Sequence, residues 1–229
     1  MKGEGYLTEA IILCGGTGWR LKPHTWVPKP LLPLKEESTK YTLLDLQIEW
    51  LKKHGFEGIV LATNQKFETK HQVTQVVENK KLGTGGAVKN AAQFIDGNEV
   101  YVMNVDDIVS YNPKELFRYS DAGAAILLAK PRIGFGVVKT ENSFVTGFEE
   151  KPIVDFYVSA GHYVFKKKII EDYFPEVGDL ERETLPILAK KRLLRGMKLK
   201  GEWYTINTYK DYLTIKQLIE NGKIKPFTS

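Results

Sequence analysis

Cysteine is scarce in this sequence: Cys14 is the only one among 229 residues, which excludes an intramolecular disulfide. Long apolar runs are missing too, since none approaches the about 20 residues that a membrane-spanning helix needs. The first nine residues mix charges with glycine and lack the apolar segment of a signal peptide. These absences favour a cytoplasmic protein with no membrane partner.

Acidic residues are fewer than basic ones, 28 against 33, and the formal net charge is +5. Such an excess suits a nucleic-acid binder or an enzyme with phosphorylated substrates. The densest basic run, residues 190–200, contains no aromatic residue, and no known nucleic-acid module surrounds it. We therefore predict a solvated helix end and loop there, and no nucleic acid partner.

The apolar pattern alternates between short β-like runs and helical spacing, with no internal repeat and no polar linker. In the first half it predicts strands at 10–14, 59–62, 99–105 and 123–129 and helices over 44–51 and 87–94. This alternation is typical of a mostly parallel sheet flanked by helices. We predict an α/β protein with a Rossmann-like mixed sheet, folded as one domain over residues 1–229.

The second half is more mixed. It predicts strands at 136–138, 143–149 and 157–165, read as an insertion over the sheet, and helices over 180–191 and 209–221. The unusual residues of the chain all follow predicted strands. In parallel sheets ligands bind where strand ends meet loops, so we expect these residues along one rim.

A glycine-rich loop follows the first strand. Gly15, Gly16 and Gly18 allow backbone N–H groups to surround an anion without Cβ clashes. Arg20 adds a guanidinium fork suited to phosphate oxygens. Lys29 stands between two prolines that restrict its backbone, so its ammonium could neutralise a polyphosphate.

The string GGTGWRLKPHTWVPKPLLPL, residues 15–34, resembles the signature of the sugar-phosphate nucleotidyltransferases, also called nucleotide-sugar pyrophosphorylases. The resemblance extends from Ala10 to about Leu218, nearly the whole chain. It implies the nucleotide-diphospho-sugar transferase fold and an enzyme that joins a nucleoside triphosphate to a sugar 1-phosphate, releases pyrophosphate and uses Mg²⁺. It also allows a homo-oligomer.

Further segments look like the nucleotide and metal sites of this family. Residues 82–87 (LGTGGA) resemble its base-recognition loop, in which backbone groups would reach the edge of the base. Asn104-Val105-Asp106-Asp107 resembles its Mg²⁺-binding segment, which assigns the metal to Asp106 and leaves Asp107 as a turn cap. The nucleotide-binding residues implied by resemblance are Leu13, Gly15, Gly16, Gly18, Gly83, Thr84 and Gly85.

The sugar phosphate is assigned in the same way. Residues 148–152 (FEEKP) and 159–161 (SAG) match family segments that hold the sugar and its phosphate, with serine in place of the usual asparagine. The implied sugar-phosphate site is Gly136, Glu150, Lys151 and Ser159. The implied catalytic set is Arg20, Lys29, Asp106 and Lys151.

The match fails near the C-terminus. The family has Trp-x-Asp-Ile-Gly there, with a second metal-binding aspartate, whereas this chain has Trp203-Tyr-Thr205-Ile-Asn207. The metal could rest on Asp106, water and substrate phosphates. Asn207, or less readily Thr205, could supply the second ligand, because residues two apart on a strand share a face. The third reading is a chain that binds nucleotide sugars without catalysis.

The substrates stay open on sequence alone. The resemblance to small family members favours GTP with mannose 1-phosphate or heptose 1-phosphate, followed by dTTP or UTP with glucose 1-phosphate. The alternatives to this function are a catalytically silent nucleotide-sugar-binding regulatory protein and a nucleotidyltransferase for a non-sugar phosphate acceptor.

Overall fold

The computed structural model describes residues 7–16, 18–34 and 41–224, and it is built around a seven-stranded sheet. The strands are β1 (Glu9–Leu13), β2 (Gly58–Thr63), β3 (Thr74–Val77), β4 (Glu99–Asn104), β6 (Ala124–Ala129), β9 (Val158–Lys166) and β10 (Leu194–Lys198). Their order across the sheet is β10-β6-β9-β4-β1-β2-β3.

Six of these strands run parallel and β9 runs against them. β1 pairs in parallel with both β2 and β4, whereas β9 lies between β4 and β6 and is antiparallel to both. The predicted mixed, mostly parallel sheet is therefore confirmed. The interpretation of residues 157–165 as part of an insertion over the sheet is wrong, because β9 occupies the middle of the sheet itself.

Helices pack on both faces of the sheet, because apolar side chains of the strands point to both faces. Along β1, Ala10 and Ile12 pack into one core cluster, while Ile11 and Leu13 pack into the other. The first cluster includes α1 (Leu43–Lys53) and α5 (Tyr209–Glu220). The second cluster includes α2 (Gly83–Ala91), α3 (Lys167–Tyr173) and α4 (Leu185–Lys190).

Side-chain caps fix the starts of the two longest helices. Thr42 accepts the backbone N–H of Asp45 at the start of α1. Thr208 and Asp211 form a capping box at the start of α5, in which each side chain accepts the other residue's N–H. A π-helical turn, Leu180–Thr184, leads into α4, and 3₁₀ turns occupy Trp19–Leu21, Lys29–Leu31, Ala92–Phe94 and Pro113–Tyr119.

Two small antiparallel sheets complete the fold. β5 (Asp107–Val109) pairs with β11 (Trp203–Thr205), and the register sets Thr205 directly opposite Asp107. β7 (Val137–Glu141) and β8 (Phe144–Glu149) form a separate hairpin with one register shift. The first small sheet begins only two residues after β4, so it lies close to the end of the central sheet.

Most elements of the predicted pattern are present. The first-half strands and the strands and helices of the second half are confirmed, with small shifts of their ends. The basic run is a correction: residues 194–198, expected to be solvated loop, form edge strand β10, which pairs with β6. The helix expected after the second glycine loop begins inside that loop, at Gly83.

The single-domain prediction over 1–229 includes residues outside the described ranges and stays a prediction. Among the described residues, no helix combines the length and apolar character needed to cross a membrane.

Candidate active site

A pocket of about 220 Å³ opens at the carboxyl ends of β1 and β4. After β1 the chain moves to β2 on one side, and it later returns to β4 on the other side of β1. This is a topological switch point, where open α/β sheets bind ligands. The pocket is lined by Leu13, Cys14, Gly15, Gly16, Gly18, Lys29, Pro30, Thr84, Asn104, Val105, Asp106 and Glu181.

The first glycine loop faces open space. A Cβ added at Gly15 or Gly18 would meet no atom within 4 Å, and Gly18 has a φ of 60°, which favours glycine. The loop therefore leaves room for a ligand against its backbone, as its sequence predicts. Thr17, within the loop, lies outside the described residues.

Cys14 lies buried at the base of this pocket. Burial, and then the charge of Asp106, raise the pKa of its thiol well above the ordinary value. Since the thiolate is the nucleophilic form of cysteine, Cys14 is unsuited to covalent catalysis.

A cation and a carboxylate meet in the pocket. Lys29 Nζ donates to Asp106 Oδ2 at 2.7 Å, and both side chains are 21% exposed. The loop that carries Asp106 is held from below by the buried amide of Gln47, which donates to the carbonyls of Val105 and Asp107. The sequence predicted Lys29 and Asp106 as site residues but gave no indication of Gln47, whose role depends on a contact between distant segments.

Arg20 approaches the same region from the first loop. Its Nη1 donates to Asn207 Oδ1 at 3.4 Å, and Asn207 Nδ2 donates to Thr205 Oγ1 at 3.3 Å. Thr205 in turn lies directly opposite Asp107 in the β5–β11 pair. The two candidates for a second metal ligand are thus hydrogen bonded to each other, between Arg20 and a buried acid.

Asp107 is buried and is not a turn cap. Asn104 Nδ2 and Trp203 Nε1 each donate to its carboxylate at 3.0 Å. Burial and the neighbouring Asp106 charge raise the pKa of Asp107, against the opposing effect of its hydrogen bonds. Gly161, with φ of 73°, packs so closely that an added Cβ would lie 1.9 Å from Asp107 Oδ2. The side chain of Asp107 therefore contacts residues of β4, β9 and β11 next to the pocket.

A second buried hydrogen-bond network runs from the core to the backbone of Asp107. His162 Nε2 contacts the carbonyl of Asp107 at 3.2 Å, so this nitrogen carries the proton. Nδ1 then accepts from the hydroxyl of Tyr101, which in turn accepts from that of Tyr111. Burial lowers the pKa of His162 to about 3 and keeps the ring neutral. His162 is therefore a core residue that packs against its neighbours.

The second glycine loop differs from the first. The N–H groups of Gly85 and Gly86 donate to the carbonyl of Gly178 at 3.0 and 3.3 Å. Added Cβ atoms at Gly83 and Gly86 would lie 2.4 and 2.5 Å from the carbonyl oxygens of Gly178 and Glu176. These glycines allow α2 to pack against residues 176–178, and the two N–H groups are not free to read a base.

Glu181 is a pocket residue that the sequence interpretation missed. It lies on the π-helical turn before α4, and its Oε2 accepts the hydroxyl of Thr84 at 2.7 Å. The same hydroxyl oxygen accepts the N–H of Leu180 at 2.8 Å. No local motif identifies Glu181, because its neighbour in the pocket is 97 positions away in the sequence.

The predicted sugar-phosphate residues do not line this pocket. Lys151 Nζ lies 3.1 Å from Glu150 Oε1 just after β8, and Arg132 Nη1 donates to the Lys151 carbonyl at 2.8 Å. Ser159 Oγ hydrogen bonds to the hydroxyl of Tyr163 at 2.9 Å. Gly136 is packed under Phe148, where a Cβ would lie 2.3 Å from the ring. Their roles toward a sugar phosphate stay predictions.

The structure thus brings together one part of the predicted site. Leu13, the first-loop glycines, Lys29, Thr84 and Asp106 share the pocket, and Arg20 reaches Asn207 beside it. The sugar-side set lies apart on the hairpin and on β9. An open glycine loop, a cation and a carboxylate form an arrangement that suits a polyphosphate with a divalent cation.

Comparisons with known proteins agree with this chemistry. A mannose-1-phosphate guanyltransferase of Debaryomyces hansenii is 32% identical over 246 residues, covering 95% of this chain and 67% of the relative. The mannose-1-phosphate guanylyltransferase catalytic subunit beta of Dictyostelium discoideum is 32% identical, covering 90% of this chain and 63% of the relative. The chain therefore spans about two thirds of the length of these curated relatives.

Solved structures share the fold. HddC from Yersinia pseudotuberculosis superposes with a TM-score of 0.73 at 24% identity, covering 93% of this chain and all of HddC. A second structure of HddC, complexed with GMP-PN, has a TM-score of 0.71. The family model described as "Nucleotidyl transferase" matches residues 9–222, which is most of the chain. The chain therefore belongs to the nucleotidyl transferase family, as its resemblance to sugar-phosphate nucleotidyltransferases implied.

Proposed function

We propose that this protein transfers a nucleotidyl group from a nucleoside triphosphate to a sugar 1-phosphate and releases pyrophosphate. The observation that carries the proposal is the pocket at the ends of β1 and β4. There an open glycine loop, Lys29 and Asp106 meet in a chain of the nucleotidyl transferase family. A cytoplasmic location, where nucleoside triphosphates are abundant, belongs to the same proposal, as does a homo-oligomeric state.

The substrates we propose are GTP and mannose 1-phosphate or heptose 1-phosphate. The matched relatives are named mannose-1-phosphate guanyltransferases, and HddC has been solved in a complex with the guanine nucleotide analogue GMP-PN. These relatives cover 90% or more of this chain, and the family model over residues 9–222 includes every pocket residue, which supports guanine as the base. Thymidine or uridine triphosphate with glucose 1-phosphate is the next combination to test.

The reaction needs alignment and charge neutralisation more than acid–base chemistry. An oxygen of the sugar 1-phosphate attacks the α-phosphorus, the bond from that phosphorus to the bridging oxygen breaks, and pyrophosphate leaves with the electron pair. The attacking phosphate is already anionic near neutral pH, so no general base has to remove a proton. Lys29 and Arg20 would counter the charge of the polyphosphate, and Lys151 would hold the attacking phosphate.

The residues fit a bound Mg²⁺ in part. Asp106 presents a carboxylate at the pocket, and Mg²⁺ commonly binds one or two carboxylates together with phosphate oxygens and water. The amide oxygen of Asn207 is the better candidate for a second ligand, because the Thr205 hydroxyl oxygen already accepts a hydrogen bond from Asn207 Nδ2. When bound, Mg²⁺ would polarise the phosphate oxygens and offset charge on the leaving group.

Binding of the substrates and the metal would change the partners of several side chains. Asp106 would exchange its partner Lys29 for the metal, which frees the ammonium to contact the triphosphate. Asn207 accepts a hydrogen bond from Arg20, so a ligand bound between these residues would compete for the same oxygen. Glu150 would contact sugar hydroxyls, with Ser159 and Gly136 at the sugar side.

The experiment is a pyrophosphate-release assay with Mg²⁺. GTP, dTTP, UTP, CTP and ATP are crossed with the 1-phosphates of mannose, glucose, N-acetylglucosamine and heptose. We expect turnover with GTP and a mannose-type 1-phosphate.

Choline phosphate as acceptor tests the non-sugar alternative. Thr205 and Asn207, which carry no charge, are the observation that favours a silent binding protein, and calorimetric binding of GTP or GDP-mannose without turnover in any combination would support it.

A further inference from the structure

Glu181 presents an acidic side chain to the pocket, which also contains Asp106 in its ion pair with Lys29. It shares this pocket with the first glycine loop and with Lys29, which lie where phosphates would bind under the proposed function. A carboxylate repels a phosphate, so Glu181 is suited to a part of the nucleotide that is neutral and rich in hydrogen-bond donors. The base and the ribose are the two such parts.

The Thr84 hydroxyl fixes the orientation of this carboxylate. Its oxygen accepts the backbone N–H of Leu180 at 2.8 Å, and its single hydrogen is donated to Glu181 Oε2 at 2.7 Å. Within the described residues, no hydrogen bond is made to Glu181 Oε1. Glu181 is therefore held through one lone pair of Oε2, which leaves Oε1 and the second lone pair of Oε2 for a ligand.

Two of the backbone donors at this wall of the pocket are already engaged. The N–H groups of Gly85 and Gly86, in the first turn of α2, both donate to the Gly178 carbonyl. The same packing between α2 and residues 176–181 places Thr84 next to Glu181. Among the described residues, the N–H groups of Gly83 and Thr84 in the same turn have no acceptor, but a backbone N–H serves any base that presents an acceptor. Discrimination between bases therefore falls to side chains, and Glu181 is the charged one among those that line the pocket on this side.

Guanine is the base whose edge matches a carboxylate. Its N1–H and its 2-amino group are adjacent donors, and two carboxylate oxygens can accept both. Adenine presents an acceptor at N1 and nothing at C2, while uracil and thymine flank their single N–H with carbonyls that a carboxylate would repel. Resting on the proposed function, we infer that Glu181 is the residue that specifies guanine, by accepting hydrogen bonds from its N1–H and 2-amino group.

The test compares four purine nucleotides, GTP, ITP, XTP and ATP, with a saturating sugar 1-phosphate. Glu181→Gln is the variant, and Glu183→Gln is the control, because it removes the same charge from the same turn at a residue that does not line the pocket. For Glu181→Gln we expect kcat/KM with GTP to fall about 100-fold, mainly through KM. ATP should change little, whereas XTP should improve, since a glutamine N–H can donate to the 2-oxo group of xanthine.

The gain with XTP is the decisive readout, because damage to the fold cannot produce it. Equal losses with GTP, ITP and ATP would overturn the inference and assign Glu181 to the ribose or to the fold. A rise confined to the KM of the sugar phosphate would overturn it as well. If the wild-type protein turned over no combination, the proposed function would fail separately. Calorimetric affinities of both proteins for GTP, ITP and XTP would then still decide the role of Glu181.

Discussion

Lys29 Nζ and Asp106 Oδ2 are 2.7 Å apart, so the cation expected at the polyphosphate is paired with the carboxylate expected at the metal. In this pair each residue neutralises the charge of the other. Both side chains remain partly exposed and both line the pocket, so a ligand bound there can contact either one. The pocket therefore holds two opposite charges next to each other.

Removal of the Lys29 ammonium should slow catalysis more than binding. We expect Lys29→Ala to lower kcat about 10²- to 10³-fold, because charge on the transferred phosphate loses a fixed positive neighbour. Lys22→Ala is the control: Lys22 lies between the rings of Trp19 and Trp26 and does not line the pocket. Steady-state pyrophosphate release measures both variants. An unchanged kcat for Lys29→Ala would remove this residue from the mechanism.

A carboxylate at position 205 should couple stability to Mg²⁺. Thr205 faces buried Asp107 across the β5–β11 pair, so Thr205→Asp would place two like charges together. We expect the free energy of unfolding without metal to fall by about 1–3 kcal/mol. Mg²⁺ should raise Tm of this variant more than that of the wild type, and turnover or Mg²⁺ affinity should increase.

Thr205→Val serves as the matched control, because it removes the hydroxyl without adding charge. Thermal melts in EDTA and in Mg²⁺ measure the difference. If Mg²⁺ shifted the three proteins equally, or if Thr205→Asp lost all activity, position 205 would not lie beside the metal.

The role given to Lys151 predicts an asymmetric effect on the two substrates. Lys151→Ala should raise the KM for the sugar phosphate about 10- to 100-fold, the loss expected for a hydrogen bond to a charged group. The KM for the nucleotide should change little. Lys139→Ala, on β7 of the same hairpin, controls for the loss of surface charge. Equal changes in both KM values would contradict the assignment.

The buried His162 predicts a loss of stability in acid. Its pKa is about 3 in the folded protein against an ordinary value of 6.5, so the unfolded chain binds one more proton between these values. Stability then falls as pH drops below about 6.5, by up to about 1.4 kcal/mol per unit. Between pH 7 and pH 5 the wild type should lose about 2 kcal/mol more than His162→Gln in urea titrations. Identical losses would show that His162 does not titrate in this way.

The phosphate end of the pocket was predictable because its signals are local. A buried strand, the glycines after it and Lys29 between two prolines are all contained in the 21 residues from Ala10 to Pro30, and together they resemble a family signature. Asp106 was assigned by resemblance to a family segment, and it reaches the same pocket because its strand β4 pairs with β1.

The wall of the pocket formed by the start of α2 could not be predicted from local patterns. The glycines of residues 83–86 indicated flexible backbone for a ligand, whereas in the structure they make room for residues 176–178. Edge strand β10 was missed because its basic residues gave no alternating apolar pattern. In both places the deciding contact joins segments far apart in the chain.

The packing of α2 against residues 176–178 also has a consequence for biosynthesis. The glycine loop and Lys29 leave the ribosome well before Asp106, which itself precedes Gly178, the residue that completes the opposite wall, by about 70 residues. A nascent chain that ends before residue 176 would carry most of the phosphate-binding groups without a finished pocket. Because domains generally fold as units during synthesis, tight nucleotide capture by ribosome-bound chains should begin only after residue 181 has emerged from the exit tunnel.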